Sequence, residues 1–244
     1  MPRNAERLGL VGPVQSVLIH DAYLTVEAGE VREYKRFPVS LMTFEATGNL
    51  REDRHFKENG SVDYRRVYVH GADGTLKEAT VYNNDGRQRS RERFSYDAVK
   101  KLCVVDYSKQ SNKRFVRTDG YLYDKHGRTV EGYKYARDGS VGFKTVYRYD
   151  EVGRLLEEQE YSVGRNYVLT TRRLVFEYDS KGWLVRERHY DRTEREPVYD
   201  FIYDFVLDSK GNWVKRTQSW LVEKNGTRIY EPRVITYRNI TYRE

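Results

Sequence analysis

The stretch Tyr135-Ala136-Arg137-Asp138-Gly139-Ser140-Val141-Gly142-Phe143-Lys144-Thr145-Val146-Tyr147-Arg148-Tyr149-Asp150-Glu151-Val152-Gly153-Arg154-Leu155 decides the fold. Between its two turn glycines, Val141, Phe143, Thr145, Tyr147 and Tyr149 alternate with Gly142, Lys144, Val146 and Arg148. A period of two in a segment rich in Val, Thr, Tyr and Phe is the mark of a strand whose successive side chains face opposite ways. Asp138-Gly139 supplies residues tolerant of positive φ, as tight hairpins require. Around each glycine an aromatic residue stands four positions before and an aliphatic one two positions after, so the local pattern is [F/Y]-x-x-x-G-x-[L/V].

That pattern recurs along the chain. Full copies are Phe44/Gly48/Leu50, Phe56/Gly60/Val62, Tyr135/Gly139/Val141, Tyr149/Gly153/Leu155 and Tyr178/Gly182/Leu184, and Tyr82/Gly86 and Tyr123/Gly127 keep the first half. Copies lacking the glycine occur at Tyr96 to Lys100 and Tyr190 to Glu194. Turn centres at 48, 74, 100, 127, 153, 182 and 211 interleave with a second series at 60, 86, 111, 139, 164, 194 and 226. A fixed period of this kind marks a repeat architecture. Residues 46–226 therefore read as about seven two-strand repeats, residues 1–45 as N-terminal capping strands and residues 227–244 as a C-terminal capping strand, within one repeat domain spanning 1–244. The expected fold is all-β: tandem β-hairpins in a long, curved antiparallel meander of roughly sixteen strands. Flat, such a sheet would be about 75 Å wide, and open sheets beyond about ten strands curl, split or close. A curled open sheet, a spiral and a barrel all satisfy the repeat. A propeller fits less well, since its blades need about 40 residues each.

Composition agrees with a thin sheet. Leu, Ile, Val and Phe make up 57 of the 244 residues, just above the roughly one-fifth level below which chains stay disordered. The 22 tyrosines and three tryptophans make up the deficit, because their rings bury apolar area and keep a polar tip for water. A single cysteine excludes a disulfide framework. No stretch approaches the roughly 20 apolar residues of a membrane-spanning helix. A lipid-facing strand is also expected to be absent, because Arg87, Arg89, Arg91 and Arg93 share one strand face, where arginine near the bilayer midplane costs about 2–4 kcal/mol.

Tyr123-Asp124-Lys125-His126-Gly127-Arg128, Tyr149-Asp150-Glu151-Val152-Gly153-Arg154-Leu155 and Tyr178-Asp179-Ser180-Lys181-Gly182 resemble the Y-D-x-x-G-R-L signature of YD-repeat (Rhs-type) proteins over about Phe44 to Val222. The opening Gly9-Leu10-Val11-Gly12-Pro13-Val14-Gln15-Ser16-Val17 is similar to the G-L-x-G-x-V-x-S-V start of small bacterial members that are often exported. The resemblance implies a β-meander and an exported, periplasmic or cell-surface location, although no export segment follows Met1. In large toxin members the repeats imply a hollow shell around a cargo. This chain is too short to enclose one, and it carries neither an Asp-Pro autoproteolysis motif nor a C-terminal toxin domain.

Four residues after the turn glycines stand Glu52, Glu78, Glu131 and Glu157. Two strands apart, such carboxylates would lie about 9–10 Å from each other, near the upper limit for an inverting glycosidase. A residue repeated in register is better explained as a ladder, with Arg54, Arg66 or Arg188 as cross-strand partners. His20, His55, His70, His126 and His189 are scattered, Cys103 has no neighbouring His, and no phosphate loop or nucleophile elbow occurs. No enzyme, metal or cofactor is expected.

The net charge of +7 is spread as 30 Arg and 14 Lys among 37 carboxylates, which argues for a solvated sheet face rather than nucleic-acid binding. Arg and Tyr are also the residues that anchor protein interfaces. The candidate binding surface comprises Arg87, Arg89, Arg91 and Arg93 with Trp183, Trp213 and Trp220. Exposed tryptophans would stack on sugar rings, and buried ones would cap the last strands. The expected role is a non-catalytic binding or scaffolding protein whose partner is another protein or a polysaccharide, without membrane insertion.

Overall fold

The structure is a computed structural model that describes residues 5, 8–27, 30–97, 102–109, 115–136, 138–164, 167–192 and 195–244. The elements are sixteen strands: β1 (Val14–Glu27), β2 (Glu30–Phe44), β3 (Leu50–Phe56), β4 (Val62–His70), β5 (Leu76–Asn83), β6 (Gln88–Asp97), β7 (Leu102–Lys109) and β8 (Phe115–Tyr123), then β9 (Thr129–Tyr135), β10 (Val141–Tyr149), β11 (Leu155–Gly164), β12 (Tyr167–Tyr178), β13 (Leu184–Asp191), β14 (Tyr199–Leu207), β15 (Trp213–Lys224) and β16 (Thr227–Tyr242). Each strand pairs with its chain neighbours, and β1 also pairs with β16, so the antiparallel order closes as a barrel. Closure decides among the three arrangements the repeat allows. The last seam runs in register from Ser16↔Thr241 to Tyr23↔Val234, and it removes the unpaired edges an open sheet would expose. Three of the expected turn centres, 100, 111 and 194, lie outside the described residues.

The aromatic and aliphatic members of the repeated pattern are partners across each turn: Phe44↔Leu50, Phe56↔Val62, Tyr135↔Val141, Tyr149↔Leu155 and Tyr178↔Leu184. The six-residue interval is the span of one hairpin loop with its closing pair. At the 150–154 turn, the Gly153 N–H donates to Asp150 O at 3.1 Å and the Asp150 N–H donates to Arg154 O at 2.9 Å. Gly153 has φ of 93°, a type I turn followed by a left-handed residue, where a side chain would cost about 1–2 kcal/mol.

Two side-chain chemistries fix these turns. At Asn59, Asp73, Asp85 and Asp138 the side chain accepts the N–H two residues on, across the glycine. At the Tyr-Asp turns the aspartate does more. Asp124 Oδ1 accepts the N–H groups of His126 and Arg128, both at 2.9 Å, and Oδ2 accepts Arg128 Nε at 2.7 Å. Asp150 treats Val152 and Arg154 in the same way. Each arginine then reaches the next repeat. Arg128 Nη1 donates to Asp150 O and lies 5.1 Å from the Tyr149 ring centroid, while Tyr149 OH donates back to Thr129 O at 2.8 Å. Arg154, Asp179, Tyr178 and Leu155 repeat that exchange one unit further on.

The chain falls into two compact units, residues 1–91, 203–219 and 230–244 in the first, and 92–202 and 220–229 in the second. The buried cluster lies in the first: Ala5, Leu10, Val14, Val17, Met42, Phe44 and Leu50, edged by Leu8, Ile19, Tyr68, Ile240 and Tyr242. The N-terminal segment is locked on by Asn212, which is fully buried. Its Oδ1 accepts the Val11 N–H at 2.6 Å, and its Nδ2 donates to Val11 O and Tyr242 OH. Asn212 stands four residues after Asp208, the place held by Arg128 and Arg154 after Asp124 and Asp150. The turn between β14 and β15 thus exchanges the inter-repeat arginine for a clamp on the N-terminal segment.

Burial opposes ionisation of Asp124, but the Arg128 and His126 N–H groups and the Arg128 guanidinium outweigh it and lower its pKa from 3.8 to about 2. Because the folded value is depressed, its stabilising contribution is complete above the unfolded value and is lost as pH falls toward about 2. Melting temperature recorded from pH 5 to pH 2 should therefore fall less steeply between about pH 4 and pH 2 for Asp124→Asn than for the parent protein, with the variant melting lower at neutral pH.

Candidate functional site

Side-chain rings gather where β13, β14 and β15 meet in the second unit. The register sets His189 opposite Tyr199 and Glu187 opposite Phe201. Tyr199 and Phe201, two apart on β14, share a face and stack with centroids 5.9 Å apart at 14°. Trp220 on β15 leans on both, 5.4 Å from Phe201 and 6.5 Å from Tyr199. His189 meets the same two rings edge-on at 5.2 and 6.1 Å, and its Nε2 lies 2.6 Å from Glu187 Oε1. Phe201 is buried as the floor, whereas Tyr199 is 54% and Trp220 37% exposed. The result is a wet-faced aromatic platform with an imidazole and a carboxylate at its side. Such a surface offers CH–π and van der Waals contact to a flat apolar face and hydrogen bonds to polar groups at its rim.

The three tryptophans have separate fates. Trp220 belongs to the platform. Trp183 is half-buried at the Asp179 turn, where its N–H donates to Asp179 Oδ1 at 2.9 Å, and it occupies the position that arginine holds in the two preceding Tyr-Asp turns. Trp213 does not belong to a surface: only 7% exposed, it packs against Phe205 and lies under the Arg238 guanidinium at 3.5 Å. The register that brings Tyr199 and Phe201 to Trp220 has no counterpart in local spacing, so sequence reasoning missed both. The alternation Tyr199, Phe201, Tyr203, Phe205 was the available signal.

The arginines at and just before β6 are not a uniform patch. Arg87, Arg89 and Arg93 are exposed. Arg91 is half-buried, with Nε 3.2 Å from Glu78, so it is committed to the sheet. Arg87 sits 3.5 Å from Asp85. The recurring glutamates are each ion-paired: Glu52 with Arg54 and Arg65, Glu78 with Arg91, Glu131 with Lys144 and Glu157 with Arg148. Of the three arginines expected as cross-strand partners, Arg54 bonds Glu52 along its own strand. Arg66 lies over the Tyr68 ring and Arg188 bonds Glu177, diagonally across the β12–β13 ladder. Although burial raises the Glu131 pKa, Lys144 and Tyr133 more than offset it and hold the carboxyl below its usual value. Burial pushes the Cys103 thiol up. Among the described residues, no group of three or more His, Cys, Asp and Glu could hold a metal ion.

A second concavity, of about 480 Å³, opens in the first unit between Phe44, Thr43, Arg51, Glu52, Arg54 and Arg243. Glu52 is already bonded to Arg54 and Arg65, and Arg243 donates to Phe44 O. The hollow therefore has a basic rim but few unspent donors.

No protein-family model and no curated protein matches this sequence. Among solved structures, the chain is similar to a porin-like protein from Bacteroides uniformis, with a TM-score of 0.58 at 9% identity over 95% of this chain and 100% of that one. Weaker likenesses are to a porin-like protein from Bacteroides vulgatus, with a TM-score of 0.39 at 12% identity over 94% and 98% of the two chains, and to the Photorhabdus luminescens Tc holotoxin pore, with 0.34 at 12% identity over 83% of this chain and 14% of that one. The first likeness establishes the all-β barrel fold. Among the described residues no helix is long and apolar enough to cross a membrane, which leaves the strands out of account.

Burial separates the roles of two tryptophans. Trp213→Ala should cost about 3–5 kcal/mol in urea denaturation, the range for large aromatic truncations in a core, whereas Trp220→Ala should cost about 1 kcal/mol or less.

Proposed function

We propose that this chain is a non-catalytic binding protein of the YD-repeat type whose ligand is a polysaccharide seated on Tyr199, Phe201 and Trp220. The carrying observation is the platform itself: stacked rings on a rigid sheet, half open to solvent, flanked by the His189 and Glu187 pair. A sugar ring presents an axial C–H face to such rings and hydroxyls to the rim. Rigid strands hold the contact with little ordering cost. The non-catalytic reading is supported by the ion pairs that consume the four recurring glutamates, and by Glu131, whose pKa moves away from that of a general acid. Fluorescence titration against a panel of cell-envelope polysaccharides should give saturable quenching that Trp220→Ala weakens at least tenfold while the far-ultraviolet spectrum is kept. No response across the panel would sink the glycan assignment.

A protein partner is the second reading, favoured by the exposed Arg87 and Arg89 of the first unit, Arg89 making no ion pair among the described residues. The porin-like neighbour raises the question of membrane insertion. The proposed barrel stays out of the bilayer, because β11 places Glu157 on one face and Glu158 and Glu160 on the other, opposite the arginines of β12. No continuous apolar band is left on either face of that pair, whereas a barrel in lipid needs one about 25 Å tall. In a flotation assay with liposomes the protein should remain in the bottom fraction; co-flotation that survives high salt would refute this.

A further inference from the structure

Charge on the first unit is poorly balanced at one buried point. Arg238 on β16 is 91% buried, by its 9% exposure, and its guanidinium lies 3.5 Å from the Trp213 ring centroid. Arg216 on β15 approaches the same indole at 5.3 Å and the Tyr203 ring at 5.1 Å. Two guanidinium groups thus share one tryptophan. Among the described residues, the acceptor for Arg238 is Leu8 O at 3.4 Å, and the Nε–H groups of Arg238 and Arg216 are both buried with no acceptor. Neither arginine has an ion-pair partner among the described residues, in a sheet where arginine after arginine is matched to a carboxylate. Asp21 and Glu231, which also lie on the first unit, are engaged with Thr236 and Arg233.

Buried charges in proteins are paired or hold an ion, because desolvating a guanidinium is costly and a like charge beside it adds repulsion. Both effects act here: burial first, and then Arg216, lower the Arg238 pKa to about 9, which leaves it charged at neutral pH. Stacking on Trp213 offsets part of the cost, cation–π contacts contributing about 2 kcal/mol when desolvated, but it accepts no hydrogen bond. The unmet need is for negative charge and for acceptors in the plane of two forks. Carboxylate and phosphate oxygens match that geometry.

We propose that Arg216 and Arg238 form a binding site for one compact oxyanion, of phosphate or carboxylate size, between β15 and β16 beside Trp213. The site is independent of the aromatic platform, and the anion would serve as the counter-ion that joins the last strand to the barrel. Inorganic phosphate is the probe. At constant ionic strength, with chloride as the balancing ion, phosphate should raise the melting temperature of the parent protein saturably by several degrees. Equilibrium dialysis should give one phosphate per chain. Arg216→Met should abolish both responses. Arg238→Lys keeps a charge on the strand but loses the fork, and should bind phosphate at least tenfold more weakly. An equal response from the parent and Arg216→Met, or no response beyond that to chloride, would overturn the proposal.

Discussion

An aspartate that closes a turn and an arginine that leaves it hold the repeats together. Asp124 and Asp150 each satisfy two backbone N–H groups of their own loop and then orient the following arginine through Oδ2. The arginine gives Nη1 to the next turn's carbonyl and lays its guanidinium against the next tyrosine, which donates back. Turn geometry and inter-repeat spacing are therefore set by one group of side chains. Charge-assisted hydrogen bonds are shorter and stronger than neutral ones, and here they sit at strand ends, where a sheet lacking a deep core is most exposed to fraying.

The same economy runs through the rest of the barrel. With few aliphatic residues available, burial is concentrated where the N-terminal segment lies on β1 and β2. Elsewhere rings and cross-strand ion pairs cover the sheet. Exposed ion pairs contribute little individually, so the pairs of the recurring glutamates satisfy and solvate the sheet more than they stabilise it. Closure through β1 and β16 matters more, since it gives every strand two neighbours. In place of an inter-repeat arginine, the Asn212 amide joins the turn between β14 and β15 to Val11 ahead of β1 and to Tyr242 on β16.

The spacing of tyrosine, glycine and leucine located the hairpins because these residues act within six positions of each other, and Tyr149↔Leu155 is a contact made by a single loop. The ion-pair ladder was legible as a category but not in its partners. Glu52 takes Arg65 on a diagonal of the ladder whereas Glu157 takes the directly opposite Arg148, and that choice depends on the strand register. The platform was visible only through Trp220. Tyr199 and Phe201 are ordinary strand aromatics until β13 and β15 are set beside them, and Trp213, equal to Trp220 by composition, is consumed by the interior.

The sequence by itself determined the strands, the turns and their period, because hairpin geometry is written in local residue types: glycine for positive φ, aspartate for orphan N–H groups, and alternation for the two faces. Tertiary structure decided what depends on residues far apart in the chain. Closing the meander required β1 to find β16, some two hundred residues away, and no local pattern encodes curvature. The same closure buried Arg238 against Trp213 beside Arg216 and left Trp220 facing water. Burial is a property of the assembled sheet, so two tryptophans seven residues apart on one strand end in opposite environments.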